Sequence, residues 1–169
     1  MACLISSSFA LDCKDSVGGV KAIYLVNWAS TGFTVASGEV TATTIASGDV
    51  YKYEVPKASS SMVVTTNVST ENGTSFNSAE ISFKLRRLST SKRNELKLLA
   101  QTRVFAIVRT NNDEYYLAGK EYGCDVTKMT SNTGTAMGDF AGYDVALSAI
   151  EAEAPYKLQS SVVTTLGLS

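Results

Sequence analysis

Hydrophobic and polar residues alternate with a period of two along most of the chain, which is typical of β-strands. In residues 20–28 (VKAIYLVNW) both alternating faces are largely apolar, which predicts a strand covered on both sides. In residues 81–86 (ISFKLR) only one face is apolar, which predicts a strand with one solvent-facing side. Residues 143–150 repeat this arrangement, with Tyr143 and Leu147 on the apolar face and small residues opposite. The pattern therefore predicts a fold built mainly from strands.

Glycine and asparagine divide the strand-like segments into short units. Gly32, Gly38 and Gly48 cut residues 30–56 into pieces, which we interpret as one meander or long hairpin. Asn72-Gly73 predicts a tight hairpin turn, and residues 103–123 predict a second hairpin around the polar turn at residues 110–113. A glycine-rich loop over residues 134–142 leads into the last long strand.

One segment has clear helical periodicity. Residues 89–101 (STSKRNELKLLAQ) begin with a serine or threonine N-cap and place Leu96, Leu99 and Ala100 on one face. The predicted fold class is all-β and mainly antiparallel, a β-barrel or sandwich with one short flanking α-helix. The expected organisation is an N-terminal arm (1–16), a β domain (17–158) and a C-terminal tail (159–169).

Composition narrows the chemistry that the chain can support. The 169 residues include 15 basic and 16 acidic side chains and no histidine. The near-zero net charge provides no global attraction to nucleic acid, and the lack of histidine removes the usual general base and a common metal ligand. Cys3, Cys13 and Cys124 lack metal-binding spacing and are expected to be reduced structural thiols. We expect no cofactor, no metal and, without a run of about 18 apolar residues, no membrane insertion.

Two groups of charged residues remain as candidate sites. Glu151 and Glu153 share a strand face at a spacing of about 7 Å, which a glycosidase could use, although solvated acids are common at a strand end before a proline. Five cations form a candidate subunit-interface patch at a strand end and the following helix start: Lys84, Arg86, Arg87, Lys92 and Arg93. Either a phosphate backbone or acidic residues of a neighbouring subunit would neutralise this patch.

Long strands with uncovered edges favour self-association. An open sheet edge must be blunted or paired, and closure of several subunits into one barrel pairs every edge. A barrel of about 22 or more strands encloses an aqueous lumen rather than a packed core. The elimination of catalytic and metal sites therefore leaves a scaffold that binds other copies of itself.

Three stretches carry a resemblance to a known family: GGVKAIYLVNW near the start, the central ISFKLRRLSTSKRNELKLLAQTRVFAIVRTNNDEYYLAGKEYG, and the closing TGTAMGDFAGYDVALSAIEAEAP. Across most of residues 17–158 the chain resembles the tail tube (major tail) proteins of long-tailed bacteriophages. The resemblance implies a β-barrel or sandwich whose copies form six-fold rings, which stack into a hollow tube that conducts DNA during ejection.

The resemblance also implies partners and candidate contact residues. The partners are other copies, neighbouring tail or head–tail connector proteins, and phage DNA passing without sequence specificity. The location is the virion tail, after assembly in the bacterial host cytoplasm. Strands beginning near Gly19, Met62, Ile81 and Tyr143 are candidates for the lumen wall. The expected hairpin over residues 33–55 is a candidate bridge between rings through Phe33, Val35, Glu39, Val40, Asp49 and Tyr51.

Other functions share these sequence features. A tail-terminator or ring protein at the head–tail junction and the inner tube of a contractile injection system use the same type of fold. From a different class, a monomeric carbohydrate-binding β-sandwich is an alternative, with Trp28 as the one tryptophan available for a binding platform. An enzyme that depends on Glu151 is a third alternative.

Overall fold

The computed structural model describes residues 4–168, which form two β-sheets and two α-helices. A seven-stranded sheet has the order β2-β3-β11-β8-β7-β1-β4, and a four-stranded sheet has the order β5-β6-β10-β9. The strands are β1 (Val20–Asn27), β2 (Phe33–Ala36), β3 (Glu39–Thr43), β4 (Val50–Glu54), β5 (Ser61–Ser69), β6 (Thr74–Arg86), β7 (Val104–Thr110), β8 (Tyr115–Ala118), β9 (Asp125–Asn132), β10 (Gly142–Glu151) and β11 (Tyr156–Leu158). The helices are α1 (Thr90–Leu99) and α2 (Ser160–Leu166), and a short 3-10 helix spans Ser47–Asp49.

The seven-stranded sheet is buried on both faces along β1 and β7, as the apolar pattern of β1 predicts. Ile23 and Leu25 face the four-stranded sheet, whereas Ala22, Tyr24 and Val26 belong to a second apolar cluster on the other face. All five side chains are nearly inaccessible to solvent. Because both faces of β1 pack in apolar clusters, neither face of this strand carries a polar stripe.

The four-stranded sheet packs only one face against the rest of the molecule. Alternate side chains of β6 and β10 enter the core, including Ile81, Phe83, Val145 and Leu147, none of which is exposed. Side chains on the opposite face are exposed or partly exposed, including Val63, Phe76 and Ile150. The one-sided patterns of residues 81–86 and 143–150 are thus confirmed.

The two helices cover different parts of the sheets. Helix α1 begins after Ser89, whose Oγ accepts the backbone N–H of Lys92 at 3.3 Å, and it buries Leu96 and Leu99 as predicted. Helix α2 lies within residues 159–169, which the sequence pattern predicts to be a C-terminal tail. It buries Val162 and Leu166 in the second apolar cluster.

Two of the three expected hairpins are confirmed. Strands β5 and β6 join through a turn in which Gly73 has φ +62°, and β7 and β8 join through a turn in which Asp113 has φ +59°. The segment 33–55 does not form one long hairpin. Strands β2 and β3 pair at one edge of the seven-stranded sheet, whereas β4 pairs with β1 at the opposite edge.

Strand β11 attaches the β2–β3 hairpin to the rest of its sheet. It pairs antiparallel with β8 and parallel with β3, where Lys157 is in register with Glu39. The side chain of Lys157 also donates to Glu114 Oε1 at 2.6 Å, just before β8. All other strand pairs are antiparallel, so the prediction of a mainly antiparallel all-β fold with a flanking helix is confirmed.

Candidate assembly surfaces

The exposed face of the four-stranded sheet, called the outer face below, is a broad and mostly polar surface. Strand registers place small or hydroxyl side chains along it, with few large apolar groups. Its residues include Val63, Thr65, Asn67, Phe76, Ser78, Glu80, Ser82, Lys84, Arg86, Asp144, Ala146, Ser148, Ile150, Lys128, Thr130 and Asp125. A face of this composition can border water or another molecule without needing an apolar cover.

Three of the four strands that the resemblance assigned to a lumen wall belong to this sheet. Met62, Ile81 and Tyr143 lie on β5, β6 and β10, which are consecutive neighbours. The strand after Gly19 is β1, which lies in the seven-stranded sheet and is buried on both faces. The fourth member of the sheet is β9. Both of its faces are largely polar.

Opposite charges on the outer face balance. The acidic side chains are Glu80, Asp144 and Asp125, and the basic ones are Lys84, Arg86 and Lys128. Lys84 is directly across from Asp144 in the β6–β10 register, and its Nζ lies 5.3 Å from the centroid of the Phe140 ring. Three charges of each sign therefore give a surface with no net charge.

The predicted cation patch spans two surfaces. Lys84 and Arg86 lie on the outer face. The ammonium group of Lys92, on α1, donates hydrogen bonds to the carbonyl oxygens of Arg86 and Arg87 at the end of β6. Arg93 follows on the same first turn of α1, which contains no acidic residue. Because the positive end of a helix dipole disfavours nearby cations, this turn favours an anionic group supplied from outside the chain.

The six residues of the expected inter-ring hairpin do not form one surface. Phe33 and Val40 are buried in the second apolar cluster, which removes them from contact with other molecules. Glu39 accepts a hydrogen bond from Gln159 Nε2 at 3.1 Å and is partly accessible, as is Val35. Asp49 and Tyr51 are exposed at the opposite edge of the sheet. An inter-ring contact through β2–β3 thus remains a prediction for its accessible residues.

Each sheet ends in strands with one unpaired edge. Within residues 4–168, β5 and β9 border the four-stranded sheet, and β2 and β4 border the seven-stranded one. Strand β5 has nine residues and carries no charged side chain. A long uncharged edge is a template for pairing with another chain unless something covers it.

The acidic pair considered for catalysis does not form an open site. Glu151 is 6% exposed, and its Oε1 accepts the backbone N–H groups of Glu121 and Tyr122 at 2.6 and 3.2 Å. Glu153 is exposed in the following bend. Glu151 therefore holds the loop between β8 and β9 against the end of β10.

The described thiols differ in environment. Burial, with a smaller contribution from Glu151, raises the pKa of the Cys124 thiol to about 12, so this side chain behaves as part of the core. Cys13 is exposed on the N-terminal arm, and Cys3 lies outside the described residues. Residues 4–168 contain no group of three or more acidic or cysteine side chains arranged to hold a metal ion.

No helix within residues 4–168 has the length and apolar character needed to cross a membrane. Comparisons with protein-family models, with curated proteins and with solved structures gave no match. The functional argument therefore depends on the surfaces described above.

Proposed function

We propose that this chain is a virion structural protein that forms six-fold rings, which stack into a hollow tail tube through which phage DNA is ejected. The observation that carries the proposal is the four-stranded sheet, which has one apolar face in the core, one open polar face and two unpaired edges. A sheet with this form becomes a wall when its edges meet those of neighbouring copies.

The directions of the edge strands suit such closure. Each neighbouring pair in β5-β6-β10-β9 is antiparallel, so β5 and β9 run in opposite directions. When β9 of one copy lies beside β5 of the next, the antiparallel alternation continues around the ring. Antiparallel neighbours form well-aligned hydrogen bonds, and a closed ring leaves no free edge.

The size of the closed barrel agrees with a DNA conduit. Six sheets of four strands would give a barrel above the limit of about 22 strands at which a lumen forms. With a strand spacing of about 4.8 Å and a tilt of about 40°, the backbone diameter is about 45–50 Å. After the side chains are allowed for, this leaves room for a DNA duplex.

The charge balance of the outer face supports passage rather than retention of DNA. Phosphate binding depends on cations that remain available to the backbone. On this face Glu80, Asp144 and Asp125 offset the three cations. In the tube the outer face, with Lys84 and Arg86, lines the lumen, while α1, with Lys92 and Arg93, and the seven-stranded sheet face neighbouring subunits, other tail or connector proteins, or solvent.

Electron microscopy of the purified protein tests the proposal. Over a concentration series we expect six-fold rings with an open centre, and stacked tubes at the highest concentrations. A particle that remains monomeric throughout, as a solitary carbohydrate-binding sandwich would, contradicts it.

A pair of proline variants in β5 tests whether this edge closes the ring. Alternate residues of an edge strand direct their N–H groups to the partner strand and to the open side, so Thr65 and Thr66 differ in this respect. Proline at the position that bonds β6 disrupts the ladder, whereas proline at the outward position leaves the monomer folded but blocks pairing with another copy.

We expect the outward variant to unfold at nearly the wild-type temperature and to form no rings, while valine at the same position preserves assembly. Normal rings from the folded outward variant would exclude β5 as the closing edge.

A further inference from the structure

The N-terminal arm carries large apolar side chains that are almost fully exposed to solvent. Phe9 and Leu11 are 96% and 101% exposed, and Leu4 and Ile5 are nearly as accessible. Phe9, Leu11 and Cys13 alternate with smaller or polar residues, which is the pattern of a strand with one apolar face. Exposed apolar groups in such a row indicate a binding segment without its partner.

The base of the arm is fixed beside the β7–β8 turn. The backbone N–H of Val17 donates to Asn112 Oδ1 at 2.9 Å, and Asn111 Nδ2 donates to the carbonyl oxygen of Gly18 at 2.7 Å. The backbone N–H of Asn111 also donates to the carbonyl oxygen of Gly19 at 3.1 Å. These bonds hold the base on the β7 side of β1, away from β4.

An apolar groove lies along β4, between this edge strand and α1. The groove has a volume of about 960 Å³, and Tyr51, Tyr53, Val55, Leu85 and Leu96 contribute to its walls. Strand β4 pairs only with β1, so its other edge offers backbone donors and acceptors to an incoming strand. The groove and the free edge together fit an extended segment with apolar side chains on one face.

The charged residues of the arm and of the groove also complement each other. The charged residues that line the groove are three cations (Lys52, Arg86 and Lys92) and two acids (Glu54 and Glu95), and the first turn of α1 beside it carries no acidic residue. The arm carries Asp12, Lys14 and Asp15 just after its apolar row. The net charge of −1 on these three residues complements the net charge of +1 on the groove lining.

We propose that the arm of one copy adds as a strand to β4 of a second copy and places Phe9 and Leu11 in the groove. This inference deepens the proposed function, on which it rests, by naming a contact between subunits that is separate from the β5–β9 closure. A second copy is the proposed occupant because the bonds to Asn111 and Asn112 fix the base of the arm on the β7 side of β1, whereas the groove lies on the β4 side.

Cross-linking through the native Cys13 tests the contact directly. In full-length protein with Cys3→Ser, Tyr51→Cys places a thiol on the exposed part of β4, and a short bismaleimide tolerates a small offset in register. We expect covalent dimers and higher multiples on a denaturing gel, and we expect their loss when Cys13→Ser is added. An internally linked monomer, or no link at all, overturns the proposal.

An assembly measurement provides the second test. Phe9→Ser combined with Leu11→Ser should raise the concentration needed for half-maximal assembly by at least about tenfold, because two buried apolar side chains are lost from the contact. Met137→Ser is the matched control, since Met137 is also fully exposed but belongs to neither the arm nor the lining of the groove. Unchanged assembly of the double variant contradicts the arm contact.

The two proposals fail in different ways. Rings that form normally without cross-links would retain the proposed tube and overturn the arm contact. Cross-linked dimers from a protein that forms no rings would support the arm contact and contradict the tube.

Discussion

Glu151 shows how a charged residue can be required for folding without taking part in chemistry. Its carboxylate is buried and accepts two backbone N–H groups of the loop between β8 and β9. We expect Glu151→Ala to lower the free energy of unfolding by about 1–3 kcal/mol, because both donors lose their acceptor. Urea denaturation followed by circular dichroism measures this change.

Two further variants separate burial from charge at this site. Glu151→Gln keeps one acceptor oxygen and should fall between Ala and wild type. Glu153→Ala, which removes an exposed acid two residues later, should change stability by less than about 0.5 kcal/mol. Equal effects of Glu151→Ala and Glu153→Ala would contradict the loop-holding role.

Gly142 is required because of a close backbone approach. A Cβ at this position would lie 2.1 Å from the carbonyl oxygen of Leu85, across the β6–β10 ladder, and 2.8 Å from the Phe140 ring. We expect Gly142→Ala to destabilise the fold by about 1–3 kcal/mol, because backbone atoms cannot move aside cheaply. The measurement is thermal unfolding.

Gly138 provides the matched control in the same loop. A Cβ there would meet nothing within 4 Å, and its φ is not positive. We expect Gly138→Ala to be neutral to within about 0.5 kcal/mol. If Gly142→Ala and Gly138→Ala unfold at the same temperature, the close backbone approach at Gly142 does not limit stability.

At the scale of elements, the attachment of β11 to β8 depends partly on an ion pair. The hydrogen bond from Lys157, and a second from the hydroxyl of Tyr116, lower the pKa of the Glu114 carboxyl below its ordinary value of 4.5. The same bond raises the pKa of Lys157 above 10.5. The pair therefore stabilises the fold at pH values between the pKa of Glu114 and the pKa of Lys157. Its contribution falls as acid protonates Glu114 or base neutralises Lys157.

We expect Glu114→Gln to lower stability at pH 7 by about 0.5 kcal/mol, since both side chains are partly exposed and solvent screens the pair. The difference from wild type should shrink as the pH falls below 4.5. Unfolding curves from pH 7 to pH 3 measure it, with Glu71→Gln in the β5–β6 turn as a control. A difference that stays constant with pH would exclude a role for the ionised carboxylate.

The sequence predicts those elements whose own residues determine their structure. Asn72-Gly73 makes its hairpin through local turn chemistry, and the N-cap of α1 needs only Ser89 and the turn that follows. Helix α2 was missed because its valines and threonines have low helix propensity, and it is held instead by buried Val162 and Leu166. Only tertiary packing distinguishes this helix from a strand or a tail.

The division of residues 33–55 between two edges also lies beyond local pattern. The turn residues before β4 fit either a return along β3 or a crossing to β1, and long-range pairing selects the second. The outer face likewise could be predicted only in part from the local sequence pattern. The alternation of β6 and β10 predicts an open polar face, but the inclusion of β9 and the balance of charge across the face depend on strand order.

At the scale of the whole molecule, the balance of acidic and basic side chains on the outer face predicts how assembled tubes interact with DNA. We expect assembled wild-type tubes to retain no short duplex DNA at about 50 mM salt, because the acids offset the cations. Glu80→Lys changes the charge of the face by two in every copy, so its tubes should retain duplex DNA and release it at about 200 mM salt. Co-sedimentation of labelled DNA with the tubes measures both.

Glu153→Lys makes the same change of charge away from the outer face and controls for total charge. Its tubes should behave like wild type if the outer face lines the lumen. Equal retention by both lysine variants would indicate that DNA binds elsewhere on the particle.

The parallel contact between β3 and β11 has a consequence for the order of events on the ribosome. Glu39 leaves the ribosome long before Lys157, its partner in register, and at about 5–20 residues per second the delay is roughly 6–24 s. During that interval the β2–β3 ribbon cannot take its final place, and Val40, which is fully buried in the finished protein, has no permanent cover. Nascent chains should therefore present this ribbon to chaperones until the last strand emerges and secures it.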